Sequence, residues 1–318
     1  MSTPVLPPRL AESLDEVRVD ADTWTASVGP RELEGGRPRD LRPRLIGALY
    51  EVLHAGRAEE KDLGKIGREP DVEQLLGAAV PHELAPRRAP VLRRDEDGSA
   101  VVELAGVRTR MPAELVPANA HPGELATLHL PAARPALSHG FYLLDGPHGG
   151  PDPRGGLRRV YLHAEDPAAA ARLWRPVLEH LNDAGVRYRS KALSHHEGYP
   201  RRDAVVVYLP LAAAGVAEEL ADAVAGLPGL APDVSALAHR VGPGVAVADD
   251  PRDARPQYRE LSFGEHRCAV LANALLRHAA DPAHPLGALF AEECRAAGVR
   301  ADAPAFNTPV PVPTTTAA

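Results

Sequence analysis

The sequence predicts an α+β protein, in which a helical region with a small β-sheet packs on a mixed α+β catalytic domain with an antiparallel-rich sheet. Three observations indicate this. Apolar residues recur at helical spacing over residues 41–53, whereas residues 100–109 and 125–130 have the composition of short strands. The remaining body alternates strands and helices. With 318 residues, 44% of them hydrophobic, the chain can build one large domain or two modest ones.

The first part of the chain is predicted to be mainly helical before its small sheet begins. The predicted helices cover residues 10–19, 41–53 and 72–79. A joint rich in Pro and Arg at residues 86–90 separates them from the strands. We place a domain boundary near residue 130. Residues 1–130 therefore form one region, which we interpret as a possible docking surface for a partner or a peptide.

Residues 131–302 are predicted to form the catalytic domain, and residues 303–318, which are mostly Pro, Thr and Ala, a disordered tail. The predicted strands of the catalytic domain are residues 140–144, 157–163, 186–193 and 204–209, with an extended segment at 240–248. Its predicted helices are residues 168–183, 215–225, 263–278 and 286–297. Asp166-Pro167 and the Ser262/Glu265 capping box are helix-start patterns for the first and third of these helices.

The charge distribution indicates a localised anionic ligand. The net charge of -7 argues against general binding to nucleic acid or to a membrane surface. Between Arg154 and Arg202, however, ten cationic residues face only five acidic ones. The first residues lack the apolar run of a signal peptide and no stretch has the length of a membrane span, so we expect a cytoplasmic protein. The spacing of Cys268 and Cys294 suggests no metal site, and we expect none.

Lys191 is the first catalytic candidate, because the chain has 36 basic residues and only three of them, Lys61, Lys65 and Lys191, are lysines. An arginine side chain keeps its proton in a protein, whereas a lysine ammonium desolvated beside other cations can lose its proton and act as a base. The alternative is that a composition favouring arginine leaves a few lysines at random. The surrounding cations favour the first interpretation.

Two rows of basic side chains are predicted on neighbouring strands. Side chains alternate across a strand, so Arg159 and His163 share one face of their strand, and Arg189 and Lys191 share one face of theirs. Solvated surface charge is one explanation. A bound phosphate or carboxylate is the other, because clustered cations repel one another unless an anion joins them. The sequence contains no P-loop and no dinucleotide-binding glycine pattern.

Six segments resemble, in order, the characteristic blocks of the Hop A-type effector family, known first from plant-pathogen type III secretion. They are HGFYL at 139–143, RVYLH at 159–163, YRSK at 188–191, YPRRDAVVVY at 199–208, GPGVAVA at 242–248 and SFGEHR at 262–267. The resemblance covers residues from about 136 to 297. At residues 237–240 the chain has LAHR, where the family usually has a Phe-Thr-Lys-like stretch.

The resemblance implies a lyase of class V lanthipeptide or thioamitide biosynthesis, which eliminates phosphate from phosphoserine or phosphothreonine of a precursor peptide. It implies Lys191 as general base and His163 as general acid, without a cofactor. The phosphate-binding candidates are Arg159, Arg201, Arg202, Arg240 and Arg267. The orienting candidates are Tyr161, Tyr199, Asp203 and Tyr208. The implied partners are the phosphorylated precursor peptide and a separate kinase-like protein.

Two functions without chemistry are the alternatives. A binding module would recognise a phosphorylated or acidic partner through arginines alone, and a scaffold would activate the kinase while elimination takes place elsewhere. An enzyme needs a titratable base beside the phosphate, and Lys191 favours that function.

Overall fold

A computed structural model describes residues 6–57, 67–135 and 137–309 of the chain. Lys61, Lys65 and the predicted tail from residue 310 onward lie outside these ranges. The fold is mixed α+β with antiparallel sheets, which confirms the predicted fold class. The domain boundary near residue 130 stays a prediction.

The helices and strands follow one another along the described chain as follows. The helices are α1 (Pro8–Ser13), α2 (Pro38–Leu49), α3 (Pro70–Ala79), α4 (Pro167–Asp183), α5 (Val216–Val224), α6 (Phe263–Ala280) and α7 (Leu286–Ala296). The strands are β1 (Val17–Asp20), β2 (Thr25–Val28), β3 (Arg31–Glu34), β4 (Leu84–Arg94), β5 (Ala100–Leu104), β6 (Val107–Met111), β7 (Leu125–Pro131), β8 (Phe141–Asp145), β9 (Leu157–Ala164), β10 (Arg189–Leu193), β11 (Arg201–Pro210), β12 (His239–Gly242) and β13 (Val245–Asp249). A π-helical turn over Tyr50–Ala55 extends α2.

The strands form three antiparallel sheets. The first is β1-β2-β3, the second is β6-β5-β4-β7, and the third has the order β12-β13-β9-β11-β10-β8. Within the third sheet the sequence neighbours β9 and β10 are separated by β11, and β8 lies at one end. This order places residues from both ends of the predicted catalytic domain on one continuous surface.

The six-stranded sheet has a buried core on each face. On one face Val160, Val207 and other strand residues pack with Trp174 of α4. On the other face Tyr161 and Val206 pack with residues of α2, α6 and α7. Because successive side chains of a strand point to opposite faces, β9 and β11 contribute apolar residues to both cores. Asp166 accepts a hydrogen bond from the Ala169 amide and begins α4 as predicted.

The structure differs from the predicted elements in several places. The first helix ends at Ser13, and residues 17–19, which we predicted to be helical, belong to β1. The predicted joint at residues 86–90 lies inside β4. Its prolines are tolerated because β5 pairs with β4 only from Val91 onward, so over residues 84–90 the strand has one hydrogen-bonded neighbour. Within the predicted tail, residues 303–309 lie in the described part of the chain, and Ala305 is buried.

Candidate functional site

Lys191 is a half-buried residue of β10 in the six-stranded sheet. It lies opposite Val206 of β11, which lies opposite Tyr161 of β9, so all three side chains share one face. Val206 and Tyr161 are buried beneath the helices, whereas Lys191 is half-buried. Its Nζ lies 3.8 Å from the centroid of the Phe141 ring on β8. Among the residues that the structure describes, Lys191 is the one lysine.

A second row of polar side chains lies beside it on the same face. Arg189 is opposite Tyr208, and Tyr208 is opposite Arg159. The Cζ atom of Arg159 lies 5.0 Å from the Tyr208 ring centroid, and its Nε donates to Asp250 Oδ1 at 2.6 Å. Burial alone would lower the pKa of Arg159, but Tyr161, Tyr208 and Asp250 outweigh burial and raise it. Arg159 is therefore a firmly charged group with a carboxylate partner.

His163 shares the face of Lys191 but does not meet it. Two strand spacings and two residues along β9 separate them, which gives a Cα–Cα distance of about 12 Å. The buried side chains of Val206 and Tyr161 lie between them. His163 Nδ1 is 2.9 Å from the carbonyl oxygen of Asp233, and burial lowers the pKa of His163 despite this contact.

Arg201 and Asp203 belong to a buried network that also contains residues from the first part of the chain. Arg201 pairs with Asp203 and donates to the Tyr50 hydroxyl. His54 Nε2 lies 3.5 Å from Asp203 Oδ2, and His54 Nδ1 lies 3.0 Å from Ser235 Oγ. Burial opposes ionisation of Asp203, but Arg201 and His54 hold its pKa well below the ordinary value. The network joins the π-helical turn to β11.

Two further predicted site residues, Arg202 and Tyr199, donate side-chain hydrogen bonds to backbone carbonyls. Arg202 Nη1 donates to the carbonyl oxygens of Val52 and Leu53 at 3.3 and 3.4 Å. These carbonyls lie near the end of the π-helical turn, where a cation complements the helix dipole. The Tyr199 hydroxyl donates to the Leu193 carbonyl at 2.8 Å. Both side chains thus stabilise the surroundings of the sheet.

Arg240 and Arg267 lie apart from Lys191. Arg240 is exposed on β12. Burial lowers the pKa of Arg9, and the positive charge of Arg240 lowers it further. Arg267 is only 1% exposed, and its Nε and Nη2 donate to Pro304 O at 2.6 Å and Asn307 Oδ1 at 2.9 Å. Burial lowers the pKa of Arg267 to about 10. Arg267 therefore fastens the segment after residue 303 to α6.

An arginine cluster that the sequence reasoning missed lies at the other end of the Lys191 face. Asp145, which ends β8, is fully buried and forms ion pairs with Arg87, Arg134 and Arg189. The distances are 2.8 Å from Arg134 Nη2 and 2.7 Å from Arg189 Nε to the carboxylate. Arg87 comes from the proline-rich part of β4, where no periodic pattern marked it. Only the pairing of distant segments shows this cluster.

The family to which this arrangement belongs follows from comparison with known proteins. The model of the HopA1 effector protein family matches residues 132–306, more than half of the chain. The chain belongs to the HopA1 effector protein family. Lys191, His163 and Arg189 lie inside the HopA1 match, whereas Arg87 and His54 precede it. The predicted resemblance to Hop A-type effectors is thereby confirmed at the level of the family.

Two solved effector structures are similar to this HopA1 chain. One is the effector protein from Pseudomonas syringae pv. tomato strain DC3000, at 15% identity and a TM-score of 0.49, covering 85% of this chain and 90% of that one. The other, from Pseudomonas syringae pv. syringae strain 61, has 13% identity and a TM-score of 0.47, covering 84% and 97%. No curated protein matches the chain. Within the described ranges, no helix has the length and apolar character to cross a membrane.

Proposed function

We propose that the chain is a carbon–oxygen lyase that eliminates phosphate from phosphoserine or phosphothreonine in a ribosomal precursor peptide. The product would be dehydroalanine or dehydrobutyrine, as in lanthipeptide-type biosynthesis. One observation carries the proposal: Lys191 is only half-buried, with Arg189 two residues away on the same face of β10. Membership of the chain in the HopA1 family supports the same function.

The reaction needs a base at the peptide Cα and positive charge at the leaving group. The lysine amine takes the Cα proton, the electrons of that bond form the Cα=Cβ double bond, and the Cβ–O bond breaks to release phosphate. Arginines that hold the phosphate stabilise the charge that develops on its oxygens. Lys191 and Arg189, on one face of β10, provide the amine and the guanidinium that these two requirements call for. The proposal requires no cofactor.

The proton for the leaving oxygen has two candidate donors. His163 is the one that the family resemblance implies, and it lies about 12 Å from Lys191 between Cα atoms. Tyr208 is a diagonal cross-strand neighbour of Lys191, so its Cα is about 7–8 Å away. Tyr208 is half-buried and next to Arg189. The geometry thus favours Tyr208 over His163 as the group that contacts the phosphate oxygen.

In this proposal a separate kinase-like protein phosphorylates the precursor peptide before the chain acts. The region that precedes the HopA1 match could bind either partner, because it contributes Arg87 and the His54 network to the sheet that bears Lys191. The peptide substrate would then lie along the half-buried residues of strands β8 and β10.

The experiment uses a synthetic phosphothreonine peptide and purified protein, without kinase, and detects loss of phosphoric acid by mass spectrometry. We expect Lys191→Ala and Lys191→Arg to lower the elimination rate by about 10²- to 10⁴-fold. The arginine variant keeps the charge but removes the base. Arg154→Gln, at an exposed arginine paired only with Asp152, is the matched control and should retain the rate.

The same assay separates the remaining alternatives. Tyr208→Phe and His163→Ala identify the proton donor, because only the true donor should show a large loss of rate. A normal rate in Lys191→Ala would refute the assignment of the base. Wild-type protein that binds the phosphopeptide without eliminating phosphate would be a binding module, and product that forms only when the kinase is added would indicate a scaffold.

A further inference from the structure

The arginine cluster around Asp145 carries more positive charge than the protein itself neutralises. Three guanidinium groups, of Arg87, Arg134 and Arg189, pair with the single carboxylate of Asp145. Among the described residues, no other carboxylate forms an ion pair with any of the three arginines. The cluster therefore has a net charge of about +2, and phosphate monoesters carry about −1.5 to −2 at neutral pH.

The three arginines are positioned yet open to a ligand. Their side chains are 21%, 27% and 39% exposed for Arg87, Arg134 and Arg189, whereas Asp145 is 1% exposed. Asp145 thus fixes the guanidinium groups by ion pairs, while part of each arginine side chain reaches solvent. The Nε atom of Arg134 is buried without a hydrogen-bond partner. Burial lowers the pKa of Arg134 to about 10; Asp145 opposes this, and Arg87 and Arg189 add to it.

Three guanidinium groups held close together repel one another, and this repulsion favours the binding of an anion beside them. Guanidinium groups bind phosphoryl oxygens through paired, charge-assisted hydrogen bonds, which makes arginine the residue of choice for such sites. A surface pair of charges would be worth little, but a fixed, partly buried cluster avoids the entropy loss of ordering three long side chains on binding.

The position of the cluster relates it to Lys191. Arg189 and Lys191 are alternate residues of β10, so their side chains stand on one face about 7 Å apart at Cα. In a phosphothreonine the proton to be removed is on Cα, which is bonded to Cβ, and Cβ carries the phosphate oxygen. A phosphoryl group held at Arg189 can therefore present its Cα to Lys191 on the same face.

We propose that Arg87, Arg134 and Arg189 form the binding site for the phosphoryl group of the peptide substrate and for the phosphate that elimination releases. This inference rests on the proposed lyase function, and it replaces the predicted phosphate-binding roles of Arg240 and Arg267. Arg87 lies on β4, before the residues that match the HopA1 family. The anion site is thus completed by the first part of the chain, which positions one arginine through the four-stranded sheet.

Equilibrium binding tests the site separately from turnover. The probe is a fluorescent phosphothreonine peptide, measured by anisotropy with the Lys191→Ala protein, in which we expect elimination to be slow. We expect Arg134→Gln and Arg189→Gln, each made in that background, to weaken binding about 10- to 100-fold, as expected for the loss of a hydrogen bond to a charged group. Arg154→Gln, with its exposed guanidinium, should bind as the parent does.

Two competitors identify the group that is bound. Inorganic phosphate should displace the labelled phosphopeptide from the parent protein and do so about 10- to 100-fold less effectively from Arg189→Gln. The unphosphorylated peptide, and one with glutamate at the threonine position, should compete poorly with either protein. Equal competition by the glutamate peptide would overturn the phosphoryl assignment in favour of a general acidic-peptide site.

Folding does not obscure the result. Arg189 is the most exposed of the three arginines, so Arg189→Gln tests the site even where Arg134→Gln does not fold. Inorganic phosphate should raise the melting temperature of the parent protein more than that of Arg189→Gln.

The outcomes separate this inference from the lyase proposal. If folded Arg134→Gln and Arg189→Gln proteins bind the phosphopeptide as tightly as the parent, the cluster is a structural ion-pair network and the inference is wrong, even where wild type eliminates phosphate. If wild type does not eliminate phosphate but these variants lose phosphopeptide binding, the lyase proposal fails and the anion site stands.

Discussion

The buried imidazole of His266 should make the stability of the protein depend on pH. His266 is fully buried in α6, between Arg267 and Asp253. Its Nδ1 accepts from Arg267 Nη1 at 2.7 Å, and its Nε2 donates to Asp253 Oδ2 at 3.0 Å. This pattern requires the neutral ring, because a proton on Nδ1 would face the donor of Arg267. Burial lowers the pKa of His266 to about 4, and the charge of Arg267 adds to the effect.

The size and direction of the effect follow from the two pKa values. An unfolded chain has a histidine pKa of about 6.5, so below that pH it takes up a proton that the folded protein refuses until about pH 4. The unfolded state therefore binds more protons, and stability is fully present above pH 6.5 and falls as the pH drops toward 4. A difference of about 2.5 pKa units at 1.36 kcal/mol each corresponds to about 3 kcal/mol.

The assay is urea unfolding at a series of pH values from about 7 down to about 4.5. His163 and His195 also have lowered pKa values because of burial, so the wild-type slope includes their contributions. The informative quantity is the difference between wild type and His266→Gln, whose amide can accept from Arg267 without titrating. We expect His266→Gln to lose most of the 3 kcal/mol dependence.

An exposed histidine provides the control. His129→Gln, on the exposed side of β7, should keep the wild-type slope. A pH dependence in His266→Gln equal to that of wild type would show that the ring does not hold the neutral form in the folded state, and the hydrogen-bond assignment would be wrong.

Two substitutions in the core test packing around the site. Gly264→Ala should lower the free energy of unfolding by about 1–3 kcal/mol, because a Cβ there would lie 2.4 Å from Cδ2 of His54, whereas Gly47→Ala in α2 meets no atom within 4 Å and should stabilise by about 0.5–1 kcal/mol. Equal effects of the two substitutions in urea unfolding would contradict the close approach. Trp174→Phe should cost about 1–3 kcal/mol, because the Nε1 hydrogen bond to Ser190 Oγ at 2.7 Å is lost. A double-mutant cycle with Ser190→Ala that shows no coupling would refute this account.

Local patterns in the sequence predicted most helix starts correctly. Ser262 and Glu265 form the capping box that begins α6, and Asp166 caps α4. Alternation along β9 places Arg159 and His163 on one face of that strand, and alternation along β10 places Arg189 and Lys191 on one face of theirs, in agreement with the registers. These features involve residues within one turn of helix or one strand, where backbone geometry alone decides which side chains meet.

Residues that are distant in the sequence meet for reasons that no local pattern contains. Asp203 meets His54 through the π-helical turn after α2, and Asp145 meets Arg87 through strand β4, where the prolines suggested a joint. The separation of His163 from Lys191 likewise depends on β11 lying between their strands.

The sequence by itself determined the fold class, the basic character of the central region and the singular position of Lys191, because composition and periodicity are properties of the chain alone. Only the tertiary structure decided which arginines bind the protein's own carboxylates and carbonyls and which remain accessible to a ligand. That distinction depends on strand order and burial. A guanidinium group that is fully buried forms ion pairs and hydrogen bonds within the protein, whereas one that is partly exposed can also bind an anion from solution.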